Sequence, residues 1–411
     1  MLRFLTAGES HGPGLAVIVD GLPAGLAVDR GAIDAQLRRR QGGYGRGRRM
    51  AIEHDAVAIL AGVRHGLTLG SPVALVVRNR DWANWEHTMA QDREAPEGAG
   101  GARRAPVTRP RPGHADLAGA AKHGHADVRN VLERASARET AARVAAGAIA
   151  RQLLEHVGIA IASHVTAIGG ARLSGEDQVP FEAIAALPPD AAIPCVDPRA
   201  AEAMVAAIDL AREDGDTLGG VFEVVVHGVP PGLGSYAQWD RRLDGRLGKA
   251  LLSIPAVKAV SIGAGWESAA LRGSEVHDEI VPDEPGAGAT SWGLRRPTNR
   301  AGGIEGGVSN GEEIRVTARM KPLSTLSRPL ASVDLETGAP GPAAIERTDT
   351  CAVPAAAVVG EAVVALVLAD AFMEKFGQDS MAEIDDNYGA WRRRLRQRFG
   401  RGAQASTSEE R

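Results

Sequence analysis

The chain has 411 residues, 44% of them hydrophobic, with 47 basic and 51 acidic side chains and a net charge of −4. That balance excludes a general nucleic-acid binder, and two cysteines, Cys195 and Cys351, exclude a disulfide framework and fit a reducing cytoplasm. At roughly 150 residues per domain the length predicts two or three domains, and with only 4% aromatics the core must be aliphatic.

In chain order, residues 2–6 and 15–21 read as strands, and a helix started by Asp29 or Asp34 runs to Arg40. The N-terminus reaches Glu9 too soon for the apolar run of a secretory signal. Residues 52–63 and 73–77 read as strands, and residues 79–109, poor in apolar side chains, as a long surface excursion. Apolar residues recur at three- and four-residue spacing over 126–157, which predicts one helix stopped by Gly158. Strands follow at 159–168 and 220–229, with a helix at 198–212 between them, capped by Asp197 with Pro198 in its first turn. Residues 243–252 read as helix, and 256–262 and 314–320 as strands. The most apolar run, 352–372, contains Glu361 and Asp370. A bilayer span wants ~20 residues without charges, so the run predicts a buried core helix over 354–376, closed by Gly377. Residues 391–411, basic and then polar, predict a frayed tail.

Several polar segments carry chemistry. Gly8-Glu9-Ser10-His11-Gly12 sets a hydroxyl and an imidazole between glycines, which reads either as a catalytic loop for an anionic substrate or as a polar turn. Only five of the 47 basic residues are lysines (Lys122, Lys249, Lys258, Lys321, Lys375), so forked guanidinium groups dominate. They crowd residues 38–49 among glycines, either as a phosphate clamp or as a flexible basic loop. His114, Asp116, His123, His125 and Asp127 invite a zinc or manganese reading, but Val128 stands where a further histidine is needed and no later ligand pair is evident. Arg138 falls off the apolar stripe of its helix and faces either solvent or a pocket. Residues 299–307 are glycine-rich without a P-loop or dinucleotide pattern. Lys321-Pro322-Leu323-Ser324-Thr325 offers a cation and two hydroxyls. Asp349 reads either as a helix cap or as a proton-handling carboxylate beside Arg347.

Taken together and in order, the blocks 8–12, 38–50, 109–116, 132–143, 299–307, 321–325 and 347–354 closely resemble the chorismate synthase family, from Met1 to about Asp385. The resemblance implies a single α+β domain over residues 1–390, with long helices sandwiched between two antiparallel sheets, assembled as a homotetramer. It implies a lyase that converts 5-enolpyruvylshikimate 3-phosphate to chorismate and phosphate by 1,4-anti elimination, the seventh step of the shikimate pathway to aromatic amino acids. It also implies reduced FMN as cofactor without net redox change, since a reduced flavin lends electron density transiently to the substrate. No flavin-reductase domain is recognisable, so an external reductase or reductant is expected, with NADPH only as the source of reducing equivalents.

By the same resemblance His11 would protonate the departing phosphate, His114 would manage the charge of the reduced ring, and Asp349 would assist removal of the C6 proton. Ser10, Arg40, Arg46, Arg49, Arg111, Arg138 and Arg347 would hold the substrate's phosphate and carboxylates. Ser136, Ala137, Arg138, Pro255, Ala256, Gly306, Lys321, Pro322, Leu323, Ser324, Thr325 and Arg347 would contact FMN. A pyridine nucleotide near Arg40 and Arg46 would compete with the substrate for the same forks. No metal, nucleic acid or membrane partner is expected. The rival expectations are a metal-dependent phosphohydrolase built on His114, His123, His125 and Asp127, and a non-catalytic anion or RNA binder built on residues 38–49.

Overall fold

The computed structural model describes residues 1–47, 54–92, 105–175, 178–283, 292–346 and 349–400. Two antiparallel sheets form its frame. The first follows the order β1 (Arg3–Ala7), β2 (Gly14–Asp20), β6 (Val73–Arg78), β3 (Val57–Ala61). Its strands alternate: Leu15, Val17 and Val19 on β2 and Val73, Leu75 and Val77 on β6 are buried. The second sheet follows the order β10 (Val257–Ile262), β15 (Ile314–Met320), β9 (Gly220–His227), β7 (Ala160–Ile168), β8 (Ala171–Arg172). Short ribbons pair β4 (Val63–Arg64) with β5 (Leu67–Thr68), β11 (Val281–Pro282) with β12 (Leu294–Arg295), β13 (Ile304–Glu305) with β14 (Val308–Ser309), and β16 (Ala331–Val333) with β17 (Pro340–Pro342).

The helices are α1 (Arg30–Gln41), α2 (Asp116–His123), α3 (Arg129–Leu132), α4 (Thr140–His156), α5 (Phe181–Ala185), α6 (Pro198–Glu213), α7 (Leu243–Leu252), α8 (Gly273–Val276), α9 (Val353–Phe376) and α10 (Met381–Phe399). α4 lies against β2, β6 and α9; α9 lies against β7 and β9. Small residues permit this close approach. A Cβ on Gly147 of α4 would meet Ala362 of α9, and one on Gly360 would meet Phe222 of β9. α9 is apolar on all sides and buried along nearly its whole length, as expected for a core helix. Its one buried carboxylate, Glu361, is held by Arg39, Arg151 and Ser163 at 2.6–2.8 Å. Burial disfavours that charge, but the two guanidinium groups outweigh it and keep the carboxyl below its usual range. Among the described residues the main apolar core runs from Leu2 to Ile384, beside two small clusters around Phe181 and Val128.

Asp29 caps α1 and Asp197 caps α6, with Pro198 in the first turn. Three expectations are corrected. The helix predicted over 126–157 is broken into α3, a 3-10 turn (Ala137–Glu139) and α4. The Glu133 carbonyl accepts from the Ser10 amide at 3.0 Å and the Ser136 hydroxyl caps the Arg138 amide at 3.3 Å, so local capping overrides the apolar period. Within the described part of the strand expected over 52–63, the strand is Val57–Ala61, with a bulge before Ala61, and Val63 begins β4; residues 52 and 53 lie outside the described residues. The frayed tail expected from residue 391 is helix as far as Phe399. Ser380 caps α10, and Tyr388 and Trp391 pack on Phe376. Residues 401–411 lie outside the described residues.

Candidate active site

His11 lies in the turn between β1 and β2. Its Nδ1 lies 2.9 and 3.0 Å from the two oxygens of Glu133, and its backbone amide donates to the same carboxylate at 2.9 Å. The ring stacks on Trp85 at 3.7 Å between centroids. Trp85 is fixed in turn by its indole N–H donating to Asp81 at 3.0 Å, with Arg129 over its ring. Residues 79–85 are therefore partly a buried anchor, which corrects the excursion expected over 79–109; residues 93–104 lie outside the described residues. Ser10 is buried, and its hydroxyl accepts from Ser136 at 3.2 Å.

His114 has the same design from different parts. Its Nδ1 lies 2.5 Å from Asp116, the first residue of α2. Arg111 donates to Asp116 from its amide, Nε and Nη2 at 2.8–3.1 Å, and its Nη1 donates to Thr325 at 2.9 Å. Burial works against the Asp116 charge, but the His114 bond and Arg111 prevail and hold this carboxyl far below the ordinary range. A Cβ on Gly113, at φ +77°, would touch the Lys321 Nζ and the Ser324 hydroxyl, so only glycine lets this turn lie on the 321–325 segment. Lys321 donates to Ser324 at 3.1 Å, and burial together with Lys258 pushes its ammonium below the usual lysine range. Leu323 accepts from Thr217 at 2.8 Å, and Pro322 lies under the Lys321 ammonium at 3.4 Å. The Lys321 amide donates to Ala256 at 2.9 Å, and Ala256 holds a left-handed φ of +68° directly after Pro255. The two histidine clusters are joined by α2 and α3, which meet where Gly119 faces Val131.

The arginine forks have internal partners. Of the two expectations for Arg138, solvent or a pocket, the first is corrected: Arg138 is buried and donates to Asp55 through both terminal nitrogens at 2.6 and 2.7 Å. Arg40, also buried, donates to Thr140 at 2.9 Å and to the Ala137 carbonyl at 3.1 Å, with Asp55 at 3.6 Å. Arg46 binds Asp349 at 2.5 Å, and the Gly47 amide donates to the same carboxylate at 2.7 Å. The reading of Asp349 as a helix cap is thereby corrected: α9 is preceded by Ala352, without a side-chain cap. Gly45, at φ +90°, carries the loop across Cys351, where a Cβ would collide. Gly306 turns the β13–β14 ribbon with open space beside it, and the ribbon's Gly307 carbonyl accepts from Ser235 and Leu243. Arg49 and Arg347 lie outside the described residues.

The structure thus brings together Ser10, His11, Ser136, Ala137, Arg138 and Arg40 in one bonded set, Arg111, His114, Lys321, Ser324, Thr325 and Ala256 in a second, and Arg46 with Asp349 in a third. Sequence reasoning missed Glu133, Asp55, Asp116 as a partner of His114, and Trp85. Glu133 lies 122 positions from His11, beyond any spacing rule. Asp127, offered for a metal, instead accepts from the Val107 and Arg129 amides at 2.9 Å, and among the described residues no three His, Cys, Asp or Glu side chains form a metal-holding group.

A family model described as chorismate synthase matches residues 2–373. The relative named chorismate synthase from Desulforudis audaxviator is 61% identical, covering 96% of this chain and 98% of its own length. That from Moorella thermoacetica is 58% identical, covering 97% and 100%. A solved crystal structure of a chorismate synthase superposes with a TM-score of 0.76 at 41% identity, covering 96% of this chain and 98% of its own.

Proposed function

This chain belongs to the chorismate synthase family, and from that premise we propose that it converts 5-enolpyruvylshikimate 3-phosphate to chorismate and phosphate by 1,4-anti elimination, with reduced FMN and no net redox change. The C3–O bond to phosphate and the C6–H bond break, and the proton leaves with phosphate, so atoms and charge balance. The observation that carries this reading is the pair of histidines, each gripped at Nδ1 by a buried carboxylate: His11 by Glu133 and His114 by Asp116. An imidazole so held is oriented for proton transfer.

The donor set fits a flavin. Lys321, Ser324 and Thr325 offer a cation and hydroxyls for its phosphate, and Ser136, Ala137, Pro255, Ala256 and Gly306 offer small walls and exposed backbone for a flat ring. The left-handed Ala256 and the open face of Gly306 support that use. When bound, the reduced flavin supplies electron density to the substrate. The chain's own residues do the remainder. His11 gives a proton to the departing phosphate. His114, held by Asp116, would balance the charge of the reduced ring. Asp349, steadied by Arg46, handles the C6 proton. Ser10, Arg40, Arg46, Arg49, Arg111, Arg138 and Arg347 bind the anionic substrate, with Asp55 shared between Arg40 and Arg138.

Long helices between two antiparallel sheets make a β-α-β sandwich of one domain in this reading. Assembly as a homotetramer is supported by the apolar outer face of the first sheet, where exposed Leu5 pairs with exposed Ile18. A cytoplasmic setting, with an external reductase drawing on NADPH, completes the proposal; the unpaired Cys195 and Cys351 suit it. The test is purified protein with dithionite-reduced FMN and substrate, with and without chelator. Chorismate formation indifferent to chelator is expected. Phosphate release without chorismate, or salt-sensitive RNA binding without turnover, would replace this reading with one of its rivals.

A further inference from the structure

The two histidines are not held alike. Asp116 is engaged by three donors of Arg111, so His114 shares its carboxylate. Glu133 is buried at the end of α3, and its nearest guanidinium, Arg129, stands at 3.6 Å. Both of its oxygens therefore serve His11: one accepts from the backbone amide at 2.9 Å and also lies 3.0 Å from Nδ1, and the other faces Nδ1 at 2.9 Å. The Glu133 carbonyl also accepts from the Ser10 amide, so one residue fixes the loop at two successive positions. Trp85 closes one face of the ring, and Asp81 locks Trp85. Among the described residues, the charged groups around the imidazole include Glu9 on its own loop, folded over Gly12; Glu133 and Arg129 at α3; and Asp81 behind Trp85.

We propose that Glu133 is the positioning residue of His11: it holds the proton on Nδ1 and so makes Nε2 the nitrogen that exchanges protons with the substrate. This rests on the reading of His11 as the acid at the departing phosphate. A carboxylate suits both N–H groups of His11 because it only accepts. The protonated ring gives up its Nε2 proton to the phosphate oxygen and is left as the Nδ1–H tautomer that Glu133 favours. A glutamine at this position has one acceptor and one NH2. If its oxygen keeps the His11 amide, its NH2 faces Nδ1 and demands a bare nitrogen there, which moves the proton to Nε2 and disfavours the doubly protonated ring.

The experiment is Glu133→Gln and Glu133→Asp in the full chain, read by ring 15N resonances of His11 at alkaline pH and by turnover with dithionite-reduced FMN. The expected result is an Nδ1–H ring in the unaltered protein, an Nε2–H or mixed ring in Glu133→Gln, and kcat lowered by about 10²–10⁴-fold with KM changed far less, since the loss belongs to the proton-transfer step. Glu133→Asp keeps an acceptor-only group and is expected to restore the tautomer and part of kcat. It also carries the test should Glu133→Gln fail to fold: an Nε2–H ring in Glu133→Asp overturns the proposal. An unchanged tautomer in Glu133→Gln, or a loss confined to KM, overturns it too. Failure of the unaltered protein to form chorismate would instead overturn the functional reading, while the ring resonances would still decide what Glu133 does to His11.

Discussion

At the scale of single residues the site is a set of charges that already have partners. Asp349 and Arg46 sit at 2.5 Å, so each already has an opposite partner in the site. Asp349→Asn keeps the size and the Gly47 contact but removes the charge. We expect kcat to fall by ~10²-fold or more, the scale of a proton-transfer group, with FMN affinity changed far less; flavin fluorescence titration beside steady-state kinetics checks both. His11→Ala and His114→Ala are each expected to lower kcat by about 10²–10⁴-fold, and full turnover in either would remove that histidine from the chemistry. The histidines, Asp349 and the arginines stand out in the sequence as candidates because their types and neighbours are unusual, and the resemblance gives them their expected roles. Glu133, Asp55 and Trp85 were not, since their meaning lies in contacts across long stretches of chain.

At the scale of elements, α4 and α9 meet with almost no room between them. An alanine on a helix normally gains ~1 kcal/mol over glycine. At Gly147 the new Cβ would lie 2.6 Å from the Cα and carbonyl oxygen of Ala362, backbone atoms that cannot swing aside. Overpacking therefore wins, and Gly147→Ala should destabilise the protein by about 1–3 kcal/mol, read as a lowered urea midpoint. The apolar period across 126–157 was real, yet it described burial rather than a continuous helix. Ser136 and the captured Glu133 carbonyl break that helix where the site needs exposed backbone, and nothing in the period signals it. α6 and α7, whose ends carry caps or sharp changes of pattern, matched their expected bounds closely.

At the scale of the whole molecule, electrostatics sets the acid limit. Burial opposes the charge on Asp116, Glu223 and Glu361, but hydrogen bonds and guanidinium groups outweigh it and depress all three carboxyls. Unfolded, these groups titrate near ~4. Their stabilisation is complete above that value and fades as pH falls through the lower folded values. We expect urea midpoints to be flat from neutral pH to about 5 and to drop steeply below about 4. Leu5→Glu, on the outer face of the first sheet, is expected to shift the protein toward smaller assemblies in sedimentation velocity while leaving its helical signal intact; an unchanged sedimentation coefficient would place the assembly face elsewhere. The sequence by itself determined the family, the aliphatic core, the buried character of the 352–372 run and most strands, because these follow from local pattern and from short ordered blocks. Only the tertiary structure decided which carboxylate answers which cation or imidazole, and that the main core joins Leu2 to Ile384. Such pairings are chosen by packing, which brings residues hundreds of positions apart to within 3 Å, and no local pattern encodes that distance.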